Sequence, residues 1–370
     1  KKGVQLARAV CDDFSTPEKP RFVFGSIGPG TKLPSLGHVG YDEIYEGYKV
    51  VAQAMVDGGV DIFLLETCQD PLQIKAALHA IEDLNSNLPI MVSVTIELSG
   101  SMLIGTDAAT IATILEPFNI LSLGFNCGTG PKQVAKHVKT LSEVSPFLIS
   151  VHANAGLPQN RGGYTYYPMG PKEFTELQRE FLDVPGVSFL GGCCGTTPEH
   201  IRSISKRLKG VVPVRKEIEK KVFVSGPQEA IPIDSSESLI RIGERLNVRG
   251  SKKVREAVEC DDEIQMEVLE EVVEEQVKDL GIDIIDVCMD SNIVETEKVL
   301  PQAIYELTSN FKGVMCIDSF SVEALQTAIE SYPGRPIINS ISLEEYKKGV
   351  SKLDAVLSQT RQHNPVYVAL

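Results

Sequence analysis

The sequence lacks several features that would place it in a common class of protein. No uninterrupted apolar stretch approaches the roughly 20 residues that a membrane-spanning helix needs. Basic residues are fewer than acidic ones, with 36 Lys and Arg against 50 Asp and Glu, which gives a formal net charge of −14. Because nucleic acids and anionic membranes both reward a basic surface, neither is expected as the main partner. No signal peptide is expected at the start, since residues 1–10 have the pattern of an amphipathic helix.

The sequence also lacks the dense cysteine framework of a small secreted domain, because its eight cysteines are spread over long helix and strand patterns. They are Cys11, Cys68, Cys127, Cys193, Cys194, Cys260, Cys288 and Cys316. We expect free thiols in a reducing cytoplasm, with some of them acting as metal ligands. With 370 residues, 42% of them hydrophobic and 23% charged, the composition is that of a soluble globular protein of about two domains.

Strand patterns alternate with helix patterns through residues 1–210. Apolar runs predict six strands, at 22–27, 62–66, 90–96, 120–126, 147–151 and 187–190. This alternation indicates an α/β fold with a parallel sheet. Six units are too few to close a (β/α)8 barrel of the TIM type, which takes about 250 residues, and the first segment is a helix with no strand ahead of it. We expect a barrel that lacks about two N-terminal units, with an open doubly wound sheet as the alternative.

A second series of strand and helix patterns occupies residues 238–370. The stretch 211–237 before it is rich in Lys, Glu, Pro and Ser, which predicts a linker. Strands are predicted at 239–247, 282–288, 313–317, 336–341 and 365–370, and helices around 269–280, 322–329 and 346–357. With about five units, this second TIM-type barrel is also expected to be incomplete.

The most informative feature is a pair of adjacent cysteines, Cys193 and Cys194, between an apolar run and a helix start. Their Cα atoms are only about 3.8 Å apart, whereas an ordinary disulfide needs about 4.4–6.8 Å, so the pair is not expected to bond to itself. Thr196 or Thr197 is predicted to cap the helix, with Pro198 in its first turn. The thiols therefore lie in a strand-to-helix turn, where parallel α/β folds place their ligands.

Cys127 has the same context, because it ends a predicted strand and precedes a Gly-rich turn. If both strands belong to one barrel, Cys127, Cys193 and Cys194 converge at its top face. Three thiolates suit a tetrahedral zinc ion and leave a fourth position for water or substrate. Zinc keeps a bound thiol as a thiolate near neutral pH, so such a site suits the activation of a substrate thiol. The alternative is that the adjacent cysteines are small buried hydrophobic residues.

Residues 191–201, Gly-Gly-Cys-Cys-Gly-Thr-Thr-Pro-Glu-His-Ile, are similar to the signature of the homocysteine S-methyltransferase family. Shorter matches lie at 25–29, 65–67, 126–127 and 152–158, where Ala153 replaces the Pro that is usual in the family. The resemblance covers roughly residues 1–210. It implies a barrel in which Cys127, Cys193 and Cys194 hold zinc and the sulfur of homocysteine is the fourth ligand. The family's Asp-Gly-Ala-Met-Gly-like segment has no match here, which fits the missing N-terminal units.

Three further residues are candidates for binding the rest of the substrate. Glu66 ends a predicted strand and either binds an ammonium group or caps the next turn. Asn126 and Asn154 are candidates for substrate contact, although Asn is also a common turn residue. His152 is expected to be structural rather than catalytic.

Polar residues also follow three apolar strand cores in the second series, namely Asp286, Asp318 and Asn339. Buried Asp and Asn residues are costly unless they have partners, and at barrel tops such residues usually line a ligand pocket. A heterocycle with an amino-amide edge is a suitable ligand, since carboxylates accept from its N–H groups and Asn both donates and accepts. The alternative is that each residue caps a neighbouring loop.

This half resembles the pterin-binding family, which includes dihydropteroate synthase and the folate domain of the cobalamin-dependent methionine synthases. The resemblance lies in 243–247 (Gly-Glu-Arg-Leu-Asn), 250–251 (Gly-Ser) and 339–343 (Asn-Ser-Ile-Ser-Leu). It implies that folate is bound by a set of four residues, Asn247, Asp286, Asp318 and Asn339. Cys288 stands where the methionine synthase pattern usually has Asn.

The order of the two segments resembles the N-terminal half of the cobalamin-dependent methionine synthase family. The implied reaction is methyl transfer from 5-methyltetrahydrofolate to homocysteine, which yields methionine, with cobalamin carrying the methyl group between the two sites. The resemblance implies a cobalamin-binding module on a missing region or a separate chain. Two alternatives remain: a zinc-dependent thiol methyltransferase that uses another methyl donor, and an inactive fragment that only binds ligands.

Overall fold

The computed structural model describes residues 1–218, 221–234, 236, 239–259 and 264–370. The chain divides into two compact units. The first is formed by residues 1–34, 38–112 and 119–219, and the second by residues 35–37, 113–118 and 220–370. Cys260 lies outside the described residues, and the seven other cysteines are free thiols.

The first unit is built on a parallel sheet. The strands of this unit are β1 (Phe24–Ile27), β2 (Ile62–Cys68), β3 (Ile90–Val94), β4 (Ser122–Asn126), β5 (Leu148–Ala153), β6 (Gln159–Arg161), β7 (Tyr164–Tyr166) and β8 (Val187–Gly192). Six of them pair in the order β1-β2-β3-β4-β5-β8, and every pair is parallel. β6 and β7 form a separate antiparallel hairpin. Within the described residues no pairing joins β8 to β1, so these two are the outer strands of the sheet.

Helices alternate with these strands, which confirms the predicted α/β class. They are α1 (Lys2–Phe14), α2 (Tyr41–Val56), α3 (Pro71–Glu82), α4 (Ala108–Leu115), α5 (Pro131–Val144), α6 (Pro171–Arg179) and α7 (Pro198–Leu208). α5 shows why they form, since Pro131 occupies its first turn and the apolar residues Val134, Val138 and Leu141 recur on one buried face. All five residues of β3 and of β4 are buried, as expected for a parallel sheet covered by helices.

The stretch 211–237 differs from the linker that its composition predicts. It contains a short antiparallel hairpin of β9 (Phe223–Ser225) and β10 (Ala230–Pro232). Ser225 is buried and exchanges two backbone hydrogen bonds with Arg335, of 2.9 and 3.0 Å. The Tyr332 hydroxyl also donates to the carbonyl of Ser225 at 3.0 Å. The hairpin is therefore part of the second unit rather than a solvated connection.

The second unit contains a parallel sheet of five strands in the order β11-β12-β13-β14-β17 and a small hairpin of β15 and β16. The strands are β11 (Ile242–Asn247), β12 (Ile284–Cys288), β13 (Val314–Asp318), β14 (Ile337–Ile341), β15 (Glu345–Lys347), β16 (Val350–Ser351) and β17 (Val366–Ala369). The helices are α8 (Lys252–Val258), α9 (Met266–Glu274), α10 (Thr296–Asn310), α11 (Val322–Glu330) and α12 (Lys352–Thr360). A turn of π-helix, Glu275–Asp279, extends α9.

Two features of this unit differ from the predictions. The helix predicted around 346–357 begins only at Lys352, because β15 and β16 precede it and Ser351 caps it by accepting from the Asp354 N–H at 3.1 Å. The sequence patterns did not predict α8 or α10. In α10 the reason is Pro301, because a proline interrupts a helix pattern. Among the described residues, no helix combines the length and the apolar content that crossing a bilayer requires.

Candidate metal centre

Three neighbouring strands of the first unit position the predicted cysteines. Cys127 directly follows β4, and Cys193 and Cys194 directly follow β8. β5 lies between them and pairs with both. The ladders continue into the turns, because the Cys127 N–H donates to the carbonyl of His152 at 3.3 Å and the Cys193 N–H donates to that of Ala153 at 2.9 Å. β5 thus brings two turns that are far apart in sequence to one end of the sheet.

The turn after β4 has an unusual backbone. Cys127 and Gly128 have φ angles of +59° and +62°. A β-carbon on Gly128 would lie 2.8 Å from the carbonyl oxygen of Ile96, so glycine is needed there for space as well as conformation. The Thr129 N–H donates to the Cys127 carbonyl at 2.6 Å, which closes the turn.

The turn after β8 leads directly into α7. Thr197 is the N-cap, and it forms a capping box in which the Thr197 N–H donates to Nδ1 of His200 at 3.1 Å. Pro198 follows in the first turn, so the predicted helix start is confirmed with Thr197 rather than Thr196 as the cap. Thr196 instead donates its hydroxyl to the carbonyl of Cys193 at 2.6 Å.

The structure brings the three sulfur atoms together. The Sγ atoms of Cys127, Cys193 and Cys194 all lie within 4.8 Å of one another. The Cys127–Cys194 distance is 3.7 Å and the Cys193–Cys194 distance is 4.0 Å. A tetrahedral zinc ion with Zn–S bonds of about 2.3 Å holds its sulfurs about 3.8 Å apart. The donor set therefore fits zinc in both chemistry and spacing.

The electrostatics of this cluster favour a bound cation. Burial, together with the neighbouring sulfurs of Cys127 and Cys194, raises the pKa of the Cys193 thiol to about 12. Three thiolates cannot share this space at neutral pH without a positive charge among them. A divalent metal supplies that charge and holds coordinating thiols in the deprotonated form.

Asn126 lies beneath the cluster rather than open to a substrate. It is buried, and its Oδ1 accepts from the Thr67 N–H and the Ser93 hydroxyl, both at 2.8 Å. Its Nδ2 donates to Oγ1 of Thr67 at 2.8 Å and contacts Sγ of Cys193 at 3.9 Å. The protein's own groups therefore occupy this amide, and the predicted contact of Asn126 with substrate stays a prediction.

The other two candidates of this unit also have protein partners. Asn154 is buried and its Oδ1 accepts from the Cys194 N–H at 3.1 Å, while its own N–H donates to the carbonyl of Thr129 at 3.1 Å. It therefore ties the two cysteine turns together. Glu66, near the end of β2, is half-buried and accepts a hydrogen bond from the Ser26 hydroxyl.

His152 faces the interior near Glu66. Burial lowers the pKa of its imidazole, and the charge of Glu66 opposes this shift without reversing it. The ring lies against Gly191, because a β-carbon there would be 2.9 Å from Cδ2 of His152. A neutral packed ring agrees with the structural role predicted for His152.

The polar residues of the second unit are also brought together. Asp318 of β13 is in register with Cys288 of β12 and with Asn339 of β14. The side chains of Cys316 and Asn339 act on Asp286 and lower its pKa, against the larger effect of burial. Burial raises the pKa of Asp286, while burial and the charge of Asp286 raise the pKa of Asp318 to about 6. These side chains form one acidic cluster on three adjacent strands.

Asn247 and Cys288 have local partners. Oδ1 of Asn247 accepts from the N–H groups of Arg249 and Gly250, both at 2.9 Å, which is the geometry of a turn cap. The role of Asn247 in binding folate stays a prediction. The Cys288 thiol lowers the pKa of Asp318, against the larger effect of burial.

Three residues near the two sites are missing from the sequence predictions. Glu244 acts on the pKa of Asp286 through its charge. Asp290 is buried and accepts from the Ser319 hydroxyl and the Phe320 N–H, both at 2.6 Å. Asp290 follows the apolar residue Met289, a signal that also applies to Asp286. Tyr167, whose ring packs against Gly195 beside the paired cysteines, lies in a loop where no sequence signal marks it.

The chain is similar to known proteins along its whole length. Residues 1–208 match the family described as homocysteine S-methyltransferase, and residues 243–368 match the family described as pterin binding enzyme. The methionine synthase of Mycobacterium tuberculosis is 36% identical and that of Mycobacterium leprae 35% identical, each over 100% of this chain. This chain spans 31% of the length of both relatives.

A solved structure is similar to part of the chain. It is the apo form of the homocysteine methyltransferase MmuM from Escherichia coli, which is 21% identical. The similarity covers 56% of this chain and 72% of that one, with a TM-score of 0.47. These values are too low to bear on the chemistry of either site.

Proposed function

This chain belongs to the homocysteine S-methyltransferase family, and from that premise we propose that it methylates the sulfur of homocysteine, with 5-methyltetrahydrofolate as the methyl donor and methionine as the product. The observation that supports this most strongly is the cluster of three sulfur atoms within 4.8 Å. The match of residues 243–368 to pterin binding enzymes supports the donor. The two methionine synthases, similar over the whole chain, support the combination of the two activities.

In this proposal Cys127, Cys193 and Cys194 hold zinc, and homocysteine supplies the fourth ligand. Zinc, when bound, would keep the substrate sulfur as a thiolate, which is the nucleophilic form. Asn126 and Asn154 orient the cysteines from below through Cys193 Sγ and the Cys194 N–H. Glu66 keeps its predicted role, because its partly exposed carboxylate is suited to the ammonium group of an amino acid substrate.

The acidic cluster of the second unit would bind the pterin ring. Asp286, Asp318 and Asn339 present two carboxyl groups and one amide on adjacent strands. Such groups match the amino-amide edge of a pterin, in which several N–H groups stand beside one carbonyl. Because Asp318 has a pKa of about 6, it is mostly ionised at neutral pH and still exchanges protons readily.

Three further parts of the proposal concern the surroundings of the two sites. Cobalamin, bound to a further module, would carry the methyl group between them. Each sheet would be part of a (β/α)8 barrel, which is supported by the parallel strands that pair in chain order with helices between them. Because the three thiols bind metal only while reduced, we place the protein in the reducing cytoplasm.

The test is zinc content together with homocysteine binding. Wild-type protein should contain one zinc per chain by elemental analysis and bind homocysteine by calorimetry, whereas Cys127→Ala should lose both. Cys11→Ala is the matched control, because Cys11 is a free thiol on α1 outside the cluster, and it should retain both. Folded wild-type protein without stoichiometric zinc would contradict the proposal.

A second measurement identifies the donor. Methionine formation should be detected when the zinc-loaded chain is given homocysteine and methylcobalamin, the form in which cobalamin delivers a methyl group. Betaine and S-methylmethionine should give no product above background. If methionine formed only with one of those two compounds, that compound would be the methyl donor, and the proposed roles of folate and cobalamin would be rejected.

A further inference from the structure

Phe320 is a large apolar side chain that is exposed beside the acidic cluster of the second unit. It lies two residues after Asp318, in the turn between β13 and α11, and is 68% exposed. Single exposed apolar side chains are common on protein surfaces. This one differs from most, because the backbone that carries it is fixed and a positive charge lies over its ring.

The turn that carries Phe320 is held against the residues of the cluster. The Ser319 N–H donates to the carbonyl of Asn339 at 3.2 Å, which attaches the turn to β14. The buried carboxylate of Asp290 accepts from the Ser319 hydroxyl and the Phe320 N–H, both at 2.6 Å. The aromatic side chain therefore starts from a rigid backbone at the edge of the predicted pterin site.

Lys352, the first residue of α12, reaches the same turn. Its Nζ donates to the carbonyl of Ser319 at 3.4 Å and lies 5.0 Å from the centre of the Phe320 ring, which is within the range of a cation–π contact. Its charge also reaches the cluster, because burial and Asp286 raise the pKa of Asp318 and Lys352 opposes them. An aromatic face and an ammonium group thus lie next to the predicted pterin ligands.

The proposed methyl donor has parts that match these two groups. In a folate, a short bridge joins the pterin ring to a benzoyl ring, which carries a glutamate tail with free carboxylates. Two residues of extended chain span about 7 Å, so a pterin bound at Asp318 brings the benzoyl ring within reach of Phe320. Aromatic rings attract one another beyond the burial of their area, and an ammonium group pairs with carboxylates.

We propose that Phe320 and Lys352 bind the part of the folate that lies outside its pterin ring. The Phe320 side chain packs against the benzoyl ring, and the ammonium group of Lys352 pairs with the carboxylates of the glutamate tail. The inference rests on the proposed folate site and extends it. The acidic cluster would hold any reduced pterin, whereas these two residues would distinguish a folate from a free pterin.

The first test is Phe320→Leu, which keeps an apolar side chain and removes the ring. Phe14→Leu is the matched control, because Phe14 is 69% exposed and lies on α1 of the other unit. Calorimetry should show that Phe320→Leu binds 5-methyltetrahydrofolate about fivefold more weakly than the wild type. Its affinity for 6-methyltetrahydropterin, which has no benzoyl ring, should be unchanged. Phe14→Leu should bind both compounds as the wild type does.

The second test is Lys352→Met, which keeps the length of the side chain and removes its charge. It should weaken the binding of 5-methyltetrahydrofolate by about threefold at low salt, and the difference from the wild type should shrink as salt is added. The binding of 5-methyltetrahydropteroate, which lacks the glutamate, should not change. Lys348→Met, at an exposed lysine of the neighbouring hairpin, is the control and should have no effect. Measurement at pH 8 keeps Asp318 ionised, since its pKa is about 6.

The outcomes distinguish this inference from the proposed function. If the wild type binds 5-methyltetrahydrofolate and both variants match it, the roles of Phe320 and Lys352 are rejected and the pterin site stands. If a folded variant loses affinity equally for the folate and for the compound without the tail, its residue does not act on the tail and its role is rejected. If the wild type binds neither compound, the folate site and the inference are both rejected.

Discussion

At Cys193 the sulfur contacts the amide of a buried asparagine whose remaining hydrogen bonds are all made within the protein. Asn126 connects this sulfur to Thr67 and Ser93, which belong to β2 and β3. The oxygen holds both strands, whereas the nitrogen donates to Oγ1 of Thr67 and contacts Sγ of Cys193. A substitution that changes only the nitrogen therefore alters the surroundings of Cys193 and one bond to Thr67.

Asn126→Asp makes that change with almost no change in shape. The new oxygen replaces a donor beside Cys193 with a negative charge, so the cluster becomes harder to ionise. We expect zinc binding to weaken by at least about tenfold and the free energy of unfolding to fall by about 1–3 kcal/mol. Chelator competition and urea unfolding measure the two effects. Asn119→Asp, at an exposed site, should change neither, and unaltered zinc binding in Asn126→Asp would reject the role of Asn126.

Asp318 predicts a pH dependence in the second unit. Burial and Asp286 raise its pKa to about 6, while Lys352 and the Cys288 thiol oppose the shift and Asp290 adds to it. Between about pH 4 and 6, the folded protein holds a proton that the unfolded chain has released. The free energy of unfolding should therefore fall as pH rises through this window.

Asp318→Asn should reduce the fall in the free energy of unfolding between about pH 4 and 6. At pH 7 the variant should be more stable than the wild type by about 1 kcal/mol, a value discounted because the carboxyl is partly exposed. Near pH 4 the two proteins should differ little. Urea unfolding followed by circular dichroism is suitable, since the chain contains no tryptophan. An equal difference at both pH values would show that Asp318 has an ordinary pKa.

The elements differ in how well their sequence patterns predict them. The helix predicted at 322–329 is α11, which ends only one residue later at Glu330, because apolar residues at helical spacing leave few alternatives. The hairpins β6–β7, β9–β10 and β15–β16 are absent from the predictions. Strands of two or three residues are too short to show alternation, and glycines such as Gly349 mark only the turn.

The same difference applies to the sites. The meeting of Cys127 with Cys193 and Cys194 follows from the strand ends, because parallel strands place their carboxyl ends at one edge of the sheet. The packing of Tyr167 against Gly195 depends on the path of the segment after a hairpin, which no periodic pattern specifies. Similarly, the hydrogen bonds of the Asn126 side chain within the protein could be assigned only after its partners were located.

The start of α7 offers a prediction at this scale. Thr197 caps the helix immediately after the two cysteines, and removing its hydroxyl leaves backbone N–H groups of the first turn without their acceptor. Thr197→Ala should lower the free energy of unfolding by about 1 kcal/mol. Thr140→Ala, which removes an exposed hydroxyl inside α5, should have a smaller effect in the same urea titration. Equal effects would show that the cap contributes nothing specific.

At the scale of the whole molecule, each compact unit has its own sheet and its own group of polar or sulfur ligands. The cysteine cluster belongs entirely to the first unit, and the acidic cluster of Asp286, Asp318 and Asn339 entirely to the second. Because neither site takes residues from the other unit, loss of one ligand set should leave the other binding activity unchanged.

A crossed pair of variants tests this independence. Cys193→Ala should abolish zinc and homocysteine binding and keep the wild-type affinity for 5-methyltetrahydrofolate. Asp318→Ala should lose folate affinity and keep zinc and homocysteine binding. Calorimetry on both variants with both ligands gives the four values needed. Loss of folate binding in folded Cys193→Ala would refute two separate sites, and unchanged folate affinity in Asp318→Ala would reject that residue as a ligand.

The position of β5 between the two cysteine turns has a consequence for protein engineering. The carbonyls of His152 and Ala153 on β5 accept hydrogen bonds from the N–H groups of Cys127 and Cys193. The strand therefore fixes the positions of these two cysteines relative to each other. A designer who grafts only the two cysteine loops onto another scaffold would lose the hydrogen bonds from β5 that fix their spacing. The smallest part of the structure that could be transferred to another protein is the set of three strands β4, β5 and β8, with the residue spacing of β5 unchanged.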